Sequence, residues 1–289
     1  MADTPRFAPA SPLDYFATLV AEDEGFALLE AAVVLAQDDF PQLDPQGVLD
    51  EIDGLARRLR ERLPADAPPL HRLRMLNRYF FRELGFAGNV NDYEHPHNSY
   101  LHRVLATRRG IPISLAVIYM ELAEQLELQA RGISFPGHFL VKLRMPAGEV
   151  VIDPFTGESL SRERLEERLE PFRRQRGLVG DDEAPLGLFL QAAPPRDIIA
   201  RMLRNLKAIH ARQGDLERLL AVQERLVRLL PTDWEERRDR GLLCAELGLG
   251  GSALTDLEAC LAERPESPEA DLLRQRVAAL RQGPAPGLH

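Results

Sequence analysis

Arg108-Arg109-Gly110-Ile111-Pro112-Ile113-Ser114-Leu115-Ala116, then Phe135-Pro136-Gly137-His138-Phe139-Leu140, then Val150-Val151-Ile152-Asp153-Pro154 are the stretches whose reading decides the fold. Apolar residues at Ile113, Ala116, Val117, Met120, Ala123 and Leu126 follow the three-and-four spacing of a buried helix face. Pro112 predicts the start of that helix, because its fixed φ suits the first turn and its missing N–H would have had no partner there. The run Ile133 to Leu143 reads as a strand. Pro146-Ala147-Gly148 reads as a turn, and Val150 to Asp153 as a second strand. His138 and Asp153 are therefore expected on neighbouring strands of a hairpin.

The order of a helix opening Gly-x-nucleophile, a strand with His and a strand with Asp-Pro resembles the transglutaminase-like core, which shares the papain-type set of Cys, His and Asp. Gly110, Ala116, the Leu128 to Arg131 segment, His138 and Asp153-Pro154 match that pattern, and the match places Pro112 on the cysteine position. The resemblance implies a thiolate that attacks a carbonyl, an imidazole paired with it and an aspartate that fixes the imidazole tautomer. Proline supplies no nucleophile. It also lacks the backbone N–H that papain-type sites turn toward the developing oxyanion.

A longer set of residues narrows the resemblance. Asn77, Phe81, Glu83 to Phe86, Gly88-Asn89, Asp92-Tyr93, Asn98-Ser99-Tyr100-Leu101, Arg109 to Leu115 and Phe135 to Leu140 resemble the bacterial SirB-type family. That likeness covers nearly the whole chain and implies an N-terminal helical segment, a divergent transglutaminase-like core and C-terminal tetratricopeptide repeats. Gly-Ile-Pro at the nucleophile position is typical of the family. Glu127 departs from it, standing where a glycine is usual at the helix end.

Length and pattern agree with this layout. The chain has 289 residues, 45% hydrophobic, enough for about two packed domains. Helical periodicity runs from about residue 12 to residue 62, and a further helix is predicted from Leu70 to Leu84 before Gly85. Farther on, Gly214 and Gly248, Pro231 and Pro265, and Leu219 and Ala253 are each 34 residues apart, the tetratricopeptide period. A last helix, Glu269 to Arg281, is expected to cap the array. The fold class read here is α+β: a helical segment over 1–85 packed on the core, a papain/transglutaminase-like core with a small antiparallel sheet over 86–170, a connector over 171–195, helical repeats over 196–282 and a loose tail over 283–289.

A net charge of −9 argues against general nucleic-acid binding, which needs a basic footprint. The first residues lack a signal-peptide layout, and the greasiest run, Phe26 to Ala36, is too short to span a bilayer. Cys244 and Cys260 are too few for a disulfide framework or a cysteine-built metal site. These features predict a cytoplasmic protein with a protein or peptide partner, no nucleic-acid or membrane partner, and no cofactor or metal.

His138 and Asp153 are the candidate catalytic pair, degenerate because Pro112 faces them. Ser114 is the nearest helix hydroxyl, but two residues beyond Pro112 it is rotated about 200° around the helix axis, so its expected partner is a first-turn backbone group. Asn98, Ser99, Tyr100, Phe135, Phe139 and Arg109 are candidate binding residues around the cleft. His95, His97 and His102 near Asp92 and Glu94 match no ligand spacing and read as a loop. The leading expectation is an interaction or regulatory factor that binds a peptide without turning it over. The alternative is an amide hydrolase or acyl transferase in which His138 and Asp153 activate a serine or water.

Overall fold

Prolines open the first turn of helix after helix here, where a missing N–H costs nothing. The computed structural model describes residues 11–23, 26–178 and 184–282. Helix α1 (Pro12–Leu19) follows Ser11, whose hydroxyl accepts from the Asp14 N–H. Helices α2 (Leu28–Val34) and α3 (Pro45–Arg60) come next, α3 capped by Asp44 and exposing Arg57, Arg58 and Arg60 as its wet face. Helix α4 (Pro69–Asn77) runs straight into a π-helical stretch, Arg78–Glu83, and Gly85 with φ 73° ends the rise. The helix expected over Leu70 to Leu84 is thus two helical forms joined end to end.

A short parallel pair follows, β1 (Ala87–Gly88) on β2 (Arg109–Gly110), with α5 (Leu101–Thr107) between them. Helix α6 (Pro112–Gln125) starts at Pro112 as its sequence predicts, and from Pro112 to Met120 every residue is buried. A helix apolar on all sides belongs inside a domain. Around it lie α2, α3, α4 and α5 and the strands β3 (Gln129–Ile133) and β4 (Leu140–Met145). Strand β5 (Gly148–Ile152) and the two-residue β6 (Ser159–Leu160) complete an antiparallel sheet of order β3-β4-β5-β6.

The single strand expected over Ile133 to Leu143 is interrupted. Residues 134–139 leave the sheet, because Phe135-Pro136-Gly137-His138 folds as a turn in which the His138 N–H donates to the Phe135 carbonyl at 3.0 Å and Gly137 has φ 67°. His138 therefore sits in the β3–β4 connection. Asp153 falls just past the end of β5.

Helices α7 (Arg162–Arg176), capped by the Ser161 hydroxyl, and α8 (Leu186–Phe189) cover one sheet face through Leu165, Leu169 and Leu186, which pack on Ile133, Phe135 and Leu140. The remaining helices are α9 (Pro195–Gln213), α10 (Leu216–Leu229), α11 (Trp234–Glu246), α12 (Gly250–Glu263) and α13 (Ala270–Gln282). Gly214 and Gly248, 34 residues apart, have φ of 68° and 74° and end α9 and α11 alike. Helix α13 packs on α12 through Leu257, Cys260, Leu273 and Val277.

The chain forms two compact units, Glu22–Met202 and a second that joins α1 to the residues from Leu203 onward. In the second unit α1 packs on α10: Phe16 is fully buried, and the guanidinium of buried Arg225 lies 5.0 Å from its ring centre. The 283–289 tail lies outside the described residues. Among the described residues no helix is long and apolar enough to cross a membrane.

Candidate functional site

The site is built from two turns that face each other across the end of the sheet. The Pro-Gly turn after β3 presents His138. After β5 the chain turns through Pro154 to Gly157: the Gly157 N–H donates to the Asp153 carbonyl at 2.8 Å, and the Asp153 N–H to that of Glu158 at 2.9 Å. Gly157 has φ 77°, and a Cβ there would come within 2.9 Å of the Phe81 ring. The second turn is thereby seated on the π-helical stretch.

Nε2 of His138 lies 2.8 Å from Oδ1 of Asp153. An imidazole N–H at Nε2 donates to the carboxylate, so Nδ1 is the nitrogen left to meet any reacting or bound group. The His138 side chain is 23% exposed and that of Asp153 is 1% exposed. A carboxylate so deeply buried needs compensation, and Asp153 has three donors. Oδ1 also accepts from the Phe155 N–H at 2.9 Å, and Oδ2 accepts from Nη1 of Arg168 at 2.8 Å. Burial alone would raise its pKa; His138, Arg168 and the Phe155 N–H outweigh burial and bring it down to about 2.

Arg168, on α7, was not singled out in the sequence. It shares a helix side with Leu165, three residues earlier, and nothing in one sequence tells which arginine of an arginine-rich helix turns inward. Phe155 was likewise missed. Its ring meets His138 edge-on at 6.3 Å, and its carbonyl accepts from the Gly88 N–H at 2.9 Å. A Cβ on Gly88 would sit 2.2 Å from that ring, so the backbone of β1 forms the seat for Phe155. Arg201, on α9, donates from Nη2 to the His138 carbonyl at 2.8 Å and stacks over Phe139 at 5.5 Å. It holds the histidine turn from behind.

Pro112 occupies the first turn of α6 with its ring buried. Ser114 is fully buried; its hydroxyl donates to the Asn98 carbonyl at 2.6 Å and accepts from the Ile111 N–H at 3.2 Å. The Ile111 backbone at the helix start is a partner of the expected kind, while the shorter bond, to the Asn98 carbonyl, ties the helix start to the 3-10 turn Pro96–Asn98. Asn98 is also inward: its Nδ2 donates to the Asp92 carbonyl at 2.6 Å, and its Oδ1 accepts from Nδ2 of Asn89 at 3.0 Å. Ser99 is buried, and among the described residues its hydroxyl has no hydrogen-bond partner. Tyr100 is buried and donates to Asp39 at 2.9 Å. Phe135 and Phe139 are buried at 1% exposure each, and Arg109 donates to the Gly85 carbonyl at 2.7 Å. His97 and His102 lay their rings against Phe40, at 5.6 and 4.6 Å.

A sheet-and-helix core carrying a His–Asp pair, followed by helical hairpins of 34-residue period, defines a transglutaminase-like protein with a tetratricopeptide array. Residues 46–204 match the transglutaminase-like superfamily and residues 206–278 the tetratricopeptide repeat. The chain belongs to the bacterial UPF0162 family. A UPF0162 protein of Xylella fastidiosa is 37% identical, covering 90% of this chain and 92% of its own. YchA of Escherichia coli K12 and SirB1 of Salmonella typhimurium are each 30% identical, covering 83% of this chain and 86% of their own. No solved structure matches it.

Proposed function

We propose that this protein is a cytoplasmic interaction or regulatory factor whose transglutaminase-like core binds a peptide or side-chain amide without cleaving it, with the helical repeats as a second peptide-binding element. The observation that supports the reading is the His138–Asp153 pair in a chain whose Pro112, buried in the first turn of α6, is matched by the family resemblance to the nucleophile. No sulfur is available there to be activated, and the proline has no N–H to offer an oxyanion. Ser114 does not replace the thiol, since its hydroxyl is committed to the Asn98 carbonyl. His138, with Nδ1 turned away from Asp153, is suited to accept or donate one hydrogen bond to a ligand.

One feature favours the hydrolytic reading with water as nucleophile: an imidazole oriented by a carboxylate and still partly exposed is the arrangement of a general base. Purified protein incubated with a peptide library, followed for both retention and chemistry, separates the two. Retention without product, lost in His138→Ala, is the expected result. Product formed reproducibly by the parent chain and abolished by His138→Ala would overturn it.

A further inference from the structure

A cavity of about 800 Å³ lies elsewhere in the core unit, between α2, α3, α6 and the outer strand β3, and neither His138 nor Asp153 lines it. Its volume is in the range of ligand-binding sites. The floor is apolar, formed by Leu49, Val117, Met120 and Ile198. Among the described residues the polar lining is unbalanced: Asp53, Glu121 and Glu124 stand against one guanidinium, that of Arg131. Arg131 folds back, its Nη1 donating to the Ala130 carbonyl at 3.1 Å. Asp53 and Glu121 share a neutral donor: the side-chain N–H groups of Gln125 reach Asp53 Oδ1 at 2.6 Å and Glu121 Oε1 at 3.0 Å. Burial pushes the Glu121 carboxyl up, and the nearby Glu124 and Asp53 charges add to it, against the Gln125 hydrogen bond. A ligand cation would relieve that repulsion.

The outer edge of β3 is already occupied beside the cavity: the Gly132 carbonyl accepts from the Ala193 N–H at 2.8 Å and the Ala130 carbonyl from Nη1 of Arg131 at 3.1 Å. A chain bound here is therefore held through its side chains and not by strand pairing. Carboxylates around an apolar floor suit a segment that carries basic and apolar side chains together.

We propose that this cavity docks a basic and apolar peptide segment, with an arginine or lysine side chain at Asp53, Glu121 and Glu124 and apolar neighbours over Val117 and Met120. The test uses the full chain and a fluorescein-labelled peptide alternating arginine and leucine, read by anisotropy. Saturable binding is expected, weakened about tenfold in Glu121→Gln/Glu124→Gln and lost in Ala192→Trp, which fills the mouth without changing charge. A peptide alternating glutamate and leucine should not bind. Absence of saturable binding, equal affinity in both variants, or equal binding of the acidic peptide would overturn the proposal. Displacement of the peptide by octylamine at equal concentration would overturn it too, since the site would then take a small amine. Should either variant fail to fold by circular dichroism, hydrogen exchange on the parent chain decides: peptide-dependent protection across 117–132 is required, and its absence refutes the assignment.

Discussion

Asp153 concentrates the electrostatics of the core in one side chain. With its pKa held near 2 against an ordinary value of 3.8, its charged form is favoured in the folded state, so it stabilises the fold fully above about pH 4. That contribution, about 2 kcal/mol, is lost as the pH falls from about 4 to about 2. Replacing Asp153 by Asn should flatten urea-unfolding stability over that window. His102 behaves in the same direction higher up: burial, with Arg103 and His97, lowers it from 6.5 to about 4, so folding favours its neutral form and stability declines as the pH drops through that interval. Arg168→Met should cost about 3 kcal/mol, the scale for leaving a buried charge half-paired. Chemical denaturation measures that loss, and NMR titration of Asp153 should show its pKa rising. The His–Asp pair was legible in the sequence through family-like order, and Ser114's structural job followed from helix geometry. Arg168 was not, because the long arginine side chain reaches its partner through tertiary placement that no local pattern encodes.

Among the elements, the two short strands matter more than their length suggests. Gly88 in β1 leaves room for the Phe155 ring, whose own N–H holds Asp153. Gly88→Ala should destabilise the core by about 1–3 kcal/mol, the usual range for overpacking, and should shift the His138 ring resonances, whereas the same change at an open helical position such as Gly251 leaves both unmoved. The repeat helices make a different prediction. Burial raises the Cys260 thiol to about 11 and Cys244 in the same direction, so both should react slowly with a thiol reagent in the native chain and quickly once urea opens it. The helix hairpins were readable from the 34-residue spacing because equivalent glycines end equivalent helices. The π-helical stretch was not: Arg78–Glu83 keeps helical composition, and the Leu84 N–H donating to the Tyr79 carbonyl reflects the packing of Phe80 and Phe81 against Tyr119. The break at Phe135-Pro136-Gly137-His138 had its signal in plain view. A Pro-Gly pair ends a strand, and the apolar residues on both sides masked it.

At the scale of the molecule, the core unit interrupts the other one along the sequence. Helix α1 comes before the core in sequence and packs on α10, which comes after it. Phe16→Ala should therefore cost about 3–5 kcal/mol, and the loss should appear in the melting of the repeat unit, read from the environment of Trp234, rather than in the core. The expected packing of the N-terminal segment on the core describes α2, α3 and α4 but not α1, since amphipathic spacing reveals that a helix has an inner face but not which neighbour covers it. The discontinuity also orders events at the ribosome. Helix α1 must wait, with Phe16 unsheltered, while the whole core is synthesised behind it, and only the arrival of α10 gives it a place to go; any excised repeat fragment beginning at residue 203 would start life with that berth empty.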